Sequence, residues 1–107
     1  MPTGSKSMIG NYVVVRATGA GVHAGTLKSY EGQSCVLTDA RRIWRYRVPM
    51  GASEFLSGVA TAGLDHSDSK VGAPVSEIIL TENCEIIATT PMAAASIQEA
   101  PVWTRTR

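Results

Sequence analysis

Apolar and polar residues alternate in short, strand-length runs over the first half of the chain. Tyr12-Val13-Val14-Val15 is β-branched and aromatic, and predicts a strand running into Arg16. The glycines of Ala17-Thr18-Gly19-Ala20-Gly21 permit positive φ and close approach of a backbone or a ligand. A second strand is expected from Val22 to Tyr30. The tight turn Glu31-Gly32-Gln33 leads into a third, Ser34 to Thr38, and Asp39-Ala40 into a fourth, Arg42 to Val48. Connections this short describe an antiparallel meander.

Pro49-Met50-Gly51 ends the meander, and the period then changes. Phe55, Leu56 and Val59 fall on one helical face, with Ser53 as N-cap and Gly63 at the C-terminal end. Leu64 to Ala73 is polar and reads as an exposed loop. Glu77–Thr81 and Cys84–Ala88 are two further strands. Thr90-Pro91 has the form of an N-cap followed by proline in the first turn, opening a short helix to about Ala100. The expected fold class is therefore α+β, mainly antiparallel β, an N-terminal β-meander with two short helices. Residues 8–104 form one domain, residues 1–7 a disordered leader with Met8 as an alternative start, and 105–107 a tail.

Composition agrees with one globular domain: the 107 residues are 44% hydrophobic and 18% charged. A chain this short buries about 65% of its unfolded surface, so a full core and a deep site compete for room. That limit predicts an oligomer. No run approaches the roughly 18 apolar residues of a membrane span and no signal peptide is evident, which predicts a cytoplasmic protein without membrane partners. Cys35 and Cys84 match no metal spacing and read as small, reduced core residues.

The net charge of +1 hides a split. Residues 1–47 carry seven basic against two acidic groups, a net +5, whereas residues 48–104 carry Lys70 against seven carboxylates, a net −6. The positive charge concentrates in Asp39-Ala40-Arg41-Arg42-Ile43-Trp44-Arg45-Tyr46-Arg47. On a strand, Arg41, Ile43, Arg45 and Arg47 share one face, and Arg42, Trp44 and Tyr46 the other. Guanidinium forks match phosphate oxygens, and aromatic planes stack on bases, so a ligand carrying phosphate and purine suits the segment. The alternative is a solvated face paired with the acidic half, Trp44 filling the core. Arg16 and the backbone N–H groups of the turn at Gly21, with His23 beside it, add further anion contacts on the ligand reading.

Catalytic groupings are sparse. No phosphate-loop, nucleophile-elbow or dinucleotide fingerprint occurs, and Gly19-Ala20-Gly21 leads into a strand rather than a helix. Asp65, His66 and Asp68 share one loop without supporting partners, a weak basis for a metal site. No cofactor and no metal is expected. Trp103, beside Pro101, reads as a seal on the core or on a subunit contact.

Val14-Val15-Arg16, Ala20-Gly21-Val22-His23-Ala24-Gly25-Thr26-Leu27 and Asp39-Ala40-Arg41-Arg42-Ile43-Trp44 together resemble the phage Thoeris anti-defence protein 1 family. Pro74-Val75-Ser76-Glu77-Ile78-Ile79-Leu80-Thr81-Glu82 and Pro101-Val102-Trp103 extend the resemblance from Met8 to Trp103. It implies a sponge that sequesters the cyclic ADP-ribose isomers made by bacterial TIR-domain proteins without cleaving them, blocking Thoeris immunity. Some members also bind cyclic trinucleotides at a separate site. It implies a homo-oligomer, a dimer or a hexamer built from dimers, in the cytoplasm of the infected bacterium. The implied ligand-binding residues are Arg16, Gly21, His23, Arg41, Arg42, Trp44 and Arg45, with Arg42 and Arg45 on phosphate or ribose, Arg16 on another phosphate, and Arg41 acting from the opposite strand face. Trp44 is a stacking surface or an anchor. The turn Ala17-Thr18-Gly19 and the loop Leu64–Ala73 lack the aromatic residues that the family pattern would place there.

Two readings of other classes stand beside it. Gly25-Thr26-Leu27 and Val36-Leu37-Thr38-Asp39-Ala40 look like the first motif of Sm-like barrels, which form rings on RNA, although no N-terminal helix is evident and the second half is acidic. A structural phage protein is the other. DNA is not an expected partner.

Overall fold

The computed structural model describes residues 8–105. The expected leader at 1–7 and the last two residues of the expected tail lie outside that range. The elements are β1 (Tyr12–Ala17), β2 (Gly21–Glu31), β3 (Ser34–Arg45), α1 (Leu56–Ala62), a 3-10 turn (His66–Asp68), β4 (Lys70–Val71), β5 (Val75–Leu80), β6 (Asn83–Ala88) and α2 (Pro91–Gln98). They make one α+β domain with a six-stranded antiparallel sheet and two helices.

The sheet runs β6–β1–β2–β3, and the far edge of β3 is shared by β5 over Cys35–Ala40 and by β4 over Ile43–Arg45. β5 and β6 thus sit at opposite ends of the strand order, yet only Thr81 and Glu82 join them. Three Cα steps reach at most about 11 Å, whereas four strand spacings in a flat sheet cover about 19 Å. The sheet must therefore curl until its ends meet. Backbone bonds pin the corner: the Thr18 N–H donates to Glu82 at 2.9 Å and the Asn83 N–H to Gln33 at 2.8 Å.

Curling produces two cores. Val13, Val15, Leu27, Leu37 and Leu80 fill the inside of the curl. Val14, Ala24 and Ile43 face outward, beneath Val59 and Ala60 of α1 and Ile97 of α2. The run Val13-Val14-Val15 is apolar throughout because β1 is buried on both faces.

The third and fourth expected strands are one. Between Thr26↔Thr38 and Ala24↔Arg41 the register advances two residues on β2 and three on β3, a bulge with Asp39 at φ 50°. Gly25 sits in the bend, where a Cβ would lie 2.9 Å from the Thr38 carbonyl oxygen. The extra residue reverses facing along β3. Cys35, Leu37 and Ala40 point into the curl, whereas Arg41 and Ile43 turn outward beneath the helices.

Thr90 caps α2, its hydroxyl accepting from the Ala93 N–H at 3.1 Å, with Pro91 in the first turn. Gly63 ends α1 at φ 87°. The N-cap of α1 is Phe55, not Ser53, because the chain folds back so that Ser53 packs onto Gly58. The expected loop over Leu64–Ala73 contains the 3-10 turn and β4, and it buries Leu64 and Val71 in the outer core. Cys35 is a buried thiol as expected, but Cys84 is exposed at the end of β6, and both are free. Among the described residues no helix is long and apolar enough to cross a membrane.

Candidate ligand-binding surface

The two charged halves meet through exposed ion pairs. Arg16 pairs with Glu85 at 2.9 Å, Lys28 with Glu77 at 3.2 Å, and Asp68 takes both Arg45 at 3.0 Å and Arg47 at 3.1 Å. Pairs this solvated add little stability. Arg45 reaches to the loop before β4, and Arg16 stands beside a carboxylate.

Arg41 has a different task from the ligand contact expected of it. The residue is 3% exposed, and the bulge aims it at the end of α2. Its Nη1 donates to the carbonyls of Ile97 at 2.9 Å and Ala100 at 2.7 Å, and its Nε to Gly72 at 2.8 Å. The Ile97 and Ala100 oxygens lie at the C-terminal end of α2, where the macrodipole favours a cation, and Ile97 also accepts from the Ala100 N–H at 3.2 Å. The Gly72 oxygen belongs to the loop after β4. Desolvation lowers the pKa of the guanidinium. No ligand in solvent reaches it; its position is structural.

Arg42 is the arginine of the segment left for a ligand. It is exposed, has no carboxylate partner among the described residues, and spends one donor on the Ala20 carbonyl at 3.2 Å. Beside it lies a concavity of about 170 Å³ walled by Gly21, Arg42, Trp44 and Tyr46. The positive φ of Gly21, 83°, shapes the turn at its mouth. Tyr46 is also a wall of a second concavity, about 290 Å³, with Arg16, Phe55 and Glu85. Nucleotide-sized pockets span roughly 300–1,000 Å³, so neither hollow alone encloses such a ligand. Tyr46 lines both hollows, so two arginines and three aromatic rings stand around the pair of them.

Trp44 does not fill the core; it is 67% exposed. Trp103 lies against it, ring centroids 5.2 Å apart and tilted 57°, and the Lys70 ammonium stands 4.7 Å from each ring. The chain after α2 brings Trp103 here, held by its N–H to the Val71 carbonyl at 2.9 Å. It thus packs on the candidate surface rather than sealing the interior.

His23 sits directly across from Arg42 in the β2–β3 register, 1% exposed. Both ring nitrogens are sealed from solvent, and the Gly21 backbone interacts with the ring too loosely to satisfy either of them. Burial, and then the Arg42 charge, hold its pKa below the ordinary value, so the ring is neutral.

The side chains of Asp65, His66 and Asp68 are engaged by other groups. Asp65 accepts from the Ser67 hydroxyl at 2.6 Å, the His66 Nε2 lies 2.7 Å from the Ser96 carbonyl, and Asp68 holds the two arginines. Among the described residues no group of three or more His, Cys, Asp or Glu side chains could hold a metal ion.

Of the sequence-derived set, the structure gathers Gly21, Arg42 and Trp44 around one hollow, and Arg16 lines the neighbouring one. It buries His23 and Arg41, and Arg45 extends to Asp68. Tyr46, which the implied ligand-binding set leaves out, lines the Arg42 hollow too, and Phe55 lines the neighbouring one. Tyr46 shares strand parity with Arg42 and Trp44, whereas Phe55 read as a core position of α1. No curated protein and no solved structure matches the chain. A family model covers residues 10–97, from the approach to β1 to the last turn of α2. On that match, the protein belongs to the family described as domain of unknown function DUF6948.

Proposed function

We propose that the protein binds and sequesters cyclic nucleotide immune signals, cyclic ADP-ribose isomers made by TIR-domain proteins and in addition cyclic trinucleotides, without cleaving them. Acting in the cytoplasm of a phage-infected bacterium, it would keep the signal from the Thoeris effector. One observation carries the reading. Arg42 is an exposed guanidinium with no carboxylate partner among the described residues, and it lies beside the exposed ring of Trp44. A charged fork beside an aromatic ring that stays largely exposed after its contacts with Trp103 and Lys70 suits a phosphate joined to a base. The multi-segment resemblance to the Thoeris anti-defence protein 1 family supplies the ligand class. The shallowness of each hollow favours a homo-oligomer, dimer or hexamer, whose second subunit adds a wall.

Calorimetry with cyclic ADP-ribose isomers, followed by mass spectrometry of the ligand released on denaturation, tests this. Tight binding and intact ligand are expected. No binding of any cyclic nucleotide, or recovery of a hydrolysed product, refutes it. Arg42→Ala should weaken binding by roughly 1.5–3 kcal/mol, the value of a hydrogen bond to a charged group, and unchanged affinity would remove Arg42 from the site.

The curled antiparallel sheet also fits the second reading, an Sm-like RNA-binding ring. Salt separates the two: affinity for single-stranded RNA falls steeply with ionic strength, and that of a small enclosed nucleotide falls less.

A further inference from the structure

The β3–β4 pairing advances two residues on β3, from Ile43 to Arg45, for one on β4, from Val71 to Lys70. Trp44 is therefore the extra residue of a bulge, a device that re-aims a side chain. Its ring is a wall of the hollow beside Arg42, with most of its surface in solvent. A large side chain so placed keeps its rotamer freedom unless something outside the hollow holds it.

Two residues do. Lys70 and Trp103 flank the ring without being walls of the hollow. The tilted indole pair and the ammonium 4.7 Å from each ring centroid are both attractive arrangements. Lys70 has no carboxylate partner among the described residues, so its charge is directed to the rings. A latch for the end of the chain would not require this cluster, because other groups already secure that segment. Arg41 holds the Ala100 carbonyl at 2.7 Å, Val102 bridges to Val71, and the Trp103 N–H donates to Val71 at 2.9 Å. Nor does the pair serve the core, since Trp44 and Trp103 are 67% and 39% exposed. What the cluster does is order Trp44.

We propose that Trp103 and Lys70 are positioning residues of the ligand site: they brace the Trp44 ring as a fixed wall on which a base stacks. The segment after α2 thereby becomes part of the site. The proposal rests on the reading of the protein as a nucleotide binder, and it adds two residues that act through Trp44.

The chain has two tryptophans, so substituting Trp103 leaves Trp44 as the sole indole fluorophore. Time-resolved anisotropy should show the Trp44 ring moving with the domain in Trp103→Phe. It should swing freely on the nanosecond scale in Trp103→Leu, and more freely when Lys70→Gln is added to Trp103→Phe. Calorimetry with cyclic ADP-ribose isomers should give a dissociation constant about two- to tenfold higher in Trp103→Leu, the cost of immobilising one side chain on binding. Trp103→Phe, which keeps a ring against Trp44, should restore most of the affinity. Equal Trp44 mobility in the three variants overturns the brace. Weakened binding in Trp44→Leu with unchanged binding in Trp103→Leu overturns the positioning role and leaves the nucleotide reading standing. Unchanged affinity in Trp44→Leu overturns it as well, since a wall that no ligand touches needs no brace. Absence of binding of any cyclic nucleotide by the unsubstituted protein overturns the nucleotide reading and this proposal with it.

Discussion

Replacing Arg41 by leucine tests whether this arginine holds the fold or a ligand. Leucine keeps much of the aliphatic volume and removes the fork, so the carbonyls of Gly72, Ile97 and Ala100 lose donors now at 2.8, 2.9 and 2.7 Å. A buried acceptor left without a partner costs about 1–3 kcal/mol. Water entering the frayed end of α2 recovers part of that, so the total expected loss is about 3–5 kcal/mol. Domains of this size hold only about 5–15 kcal/mol in all. At about 4 °C per kcal/mol, the melting temperature should fall by about 12–20 °C. Arg41→Lys keeps the charge, but one ammonium cannot span Gly72 and the helix end together, so an intermediate loss is expected. Urea unfolding and calorimetry measure both variants. A change below 1 kcal/mol for Arg41→Leu would refute the capping role, as would lost nucleotide affinity at unchanged stability.

Two further perturbations follow from the same geometry. His23, held below its ordinary pKa of 6.5, refuses a proton that the unfolded chain accepts, so stability is intact above that pH and falls as pH drops below it; the melting temperature should fall from pH 7 to pH 5 more steeply than in His23→Gln, and parallel slopes would contradict the buried neutral ring. Gly25→Ala puts a methyl group 2.9 Å from the Thr38 carbonyl oxygen and should cost about 1–3 kcal/mol by overpacking, with urea unfolding as the measure and an unchanged midpoint as the contrary result.

Where chemistry is local, the chain could be read directly. The β-branched run Val13-Val14-Val15 and the turn at Gly32 specify strands and hairpins within a few residues. Thr90-Pro91 satisfies an orphan helix donor with its own neighbour, so that cap was visible as well. The charge split was legible, and so were its consequences, since basic groups of the first half do pair with carboxylates of the second.

Facing was the part that needed the folded chain. Strand parity places Arg41 and Arg42 on opposite faces, but it cannot say which face is buried. One extra residue at Asp39 reverses the alternation between Leu37 and Ile43, and it exists because β2 brings Gly25 against it. That reversal sends Arg41 beneath α2 and leaves Arg42 at the surface. In the same way, Asp68 claims Arg45 and Trp103 comes to rest on Trp44 only when segments distant in sequence return to β3. Residue type and spacing thus establish which elements form and that an arginine–aromatic strand exists. Long-range register decides which of its arginines is free to meet a ligand, because a side chain's surroundings are set by whatever the chain packs against it.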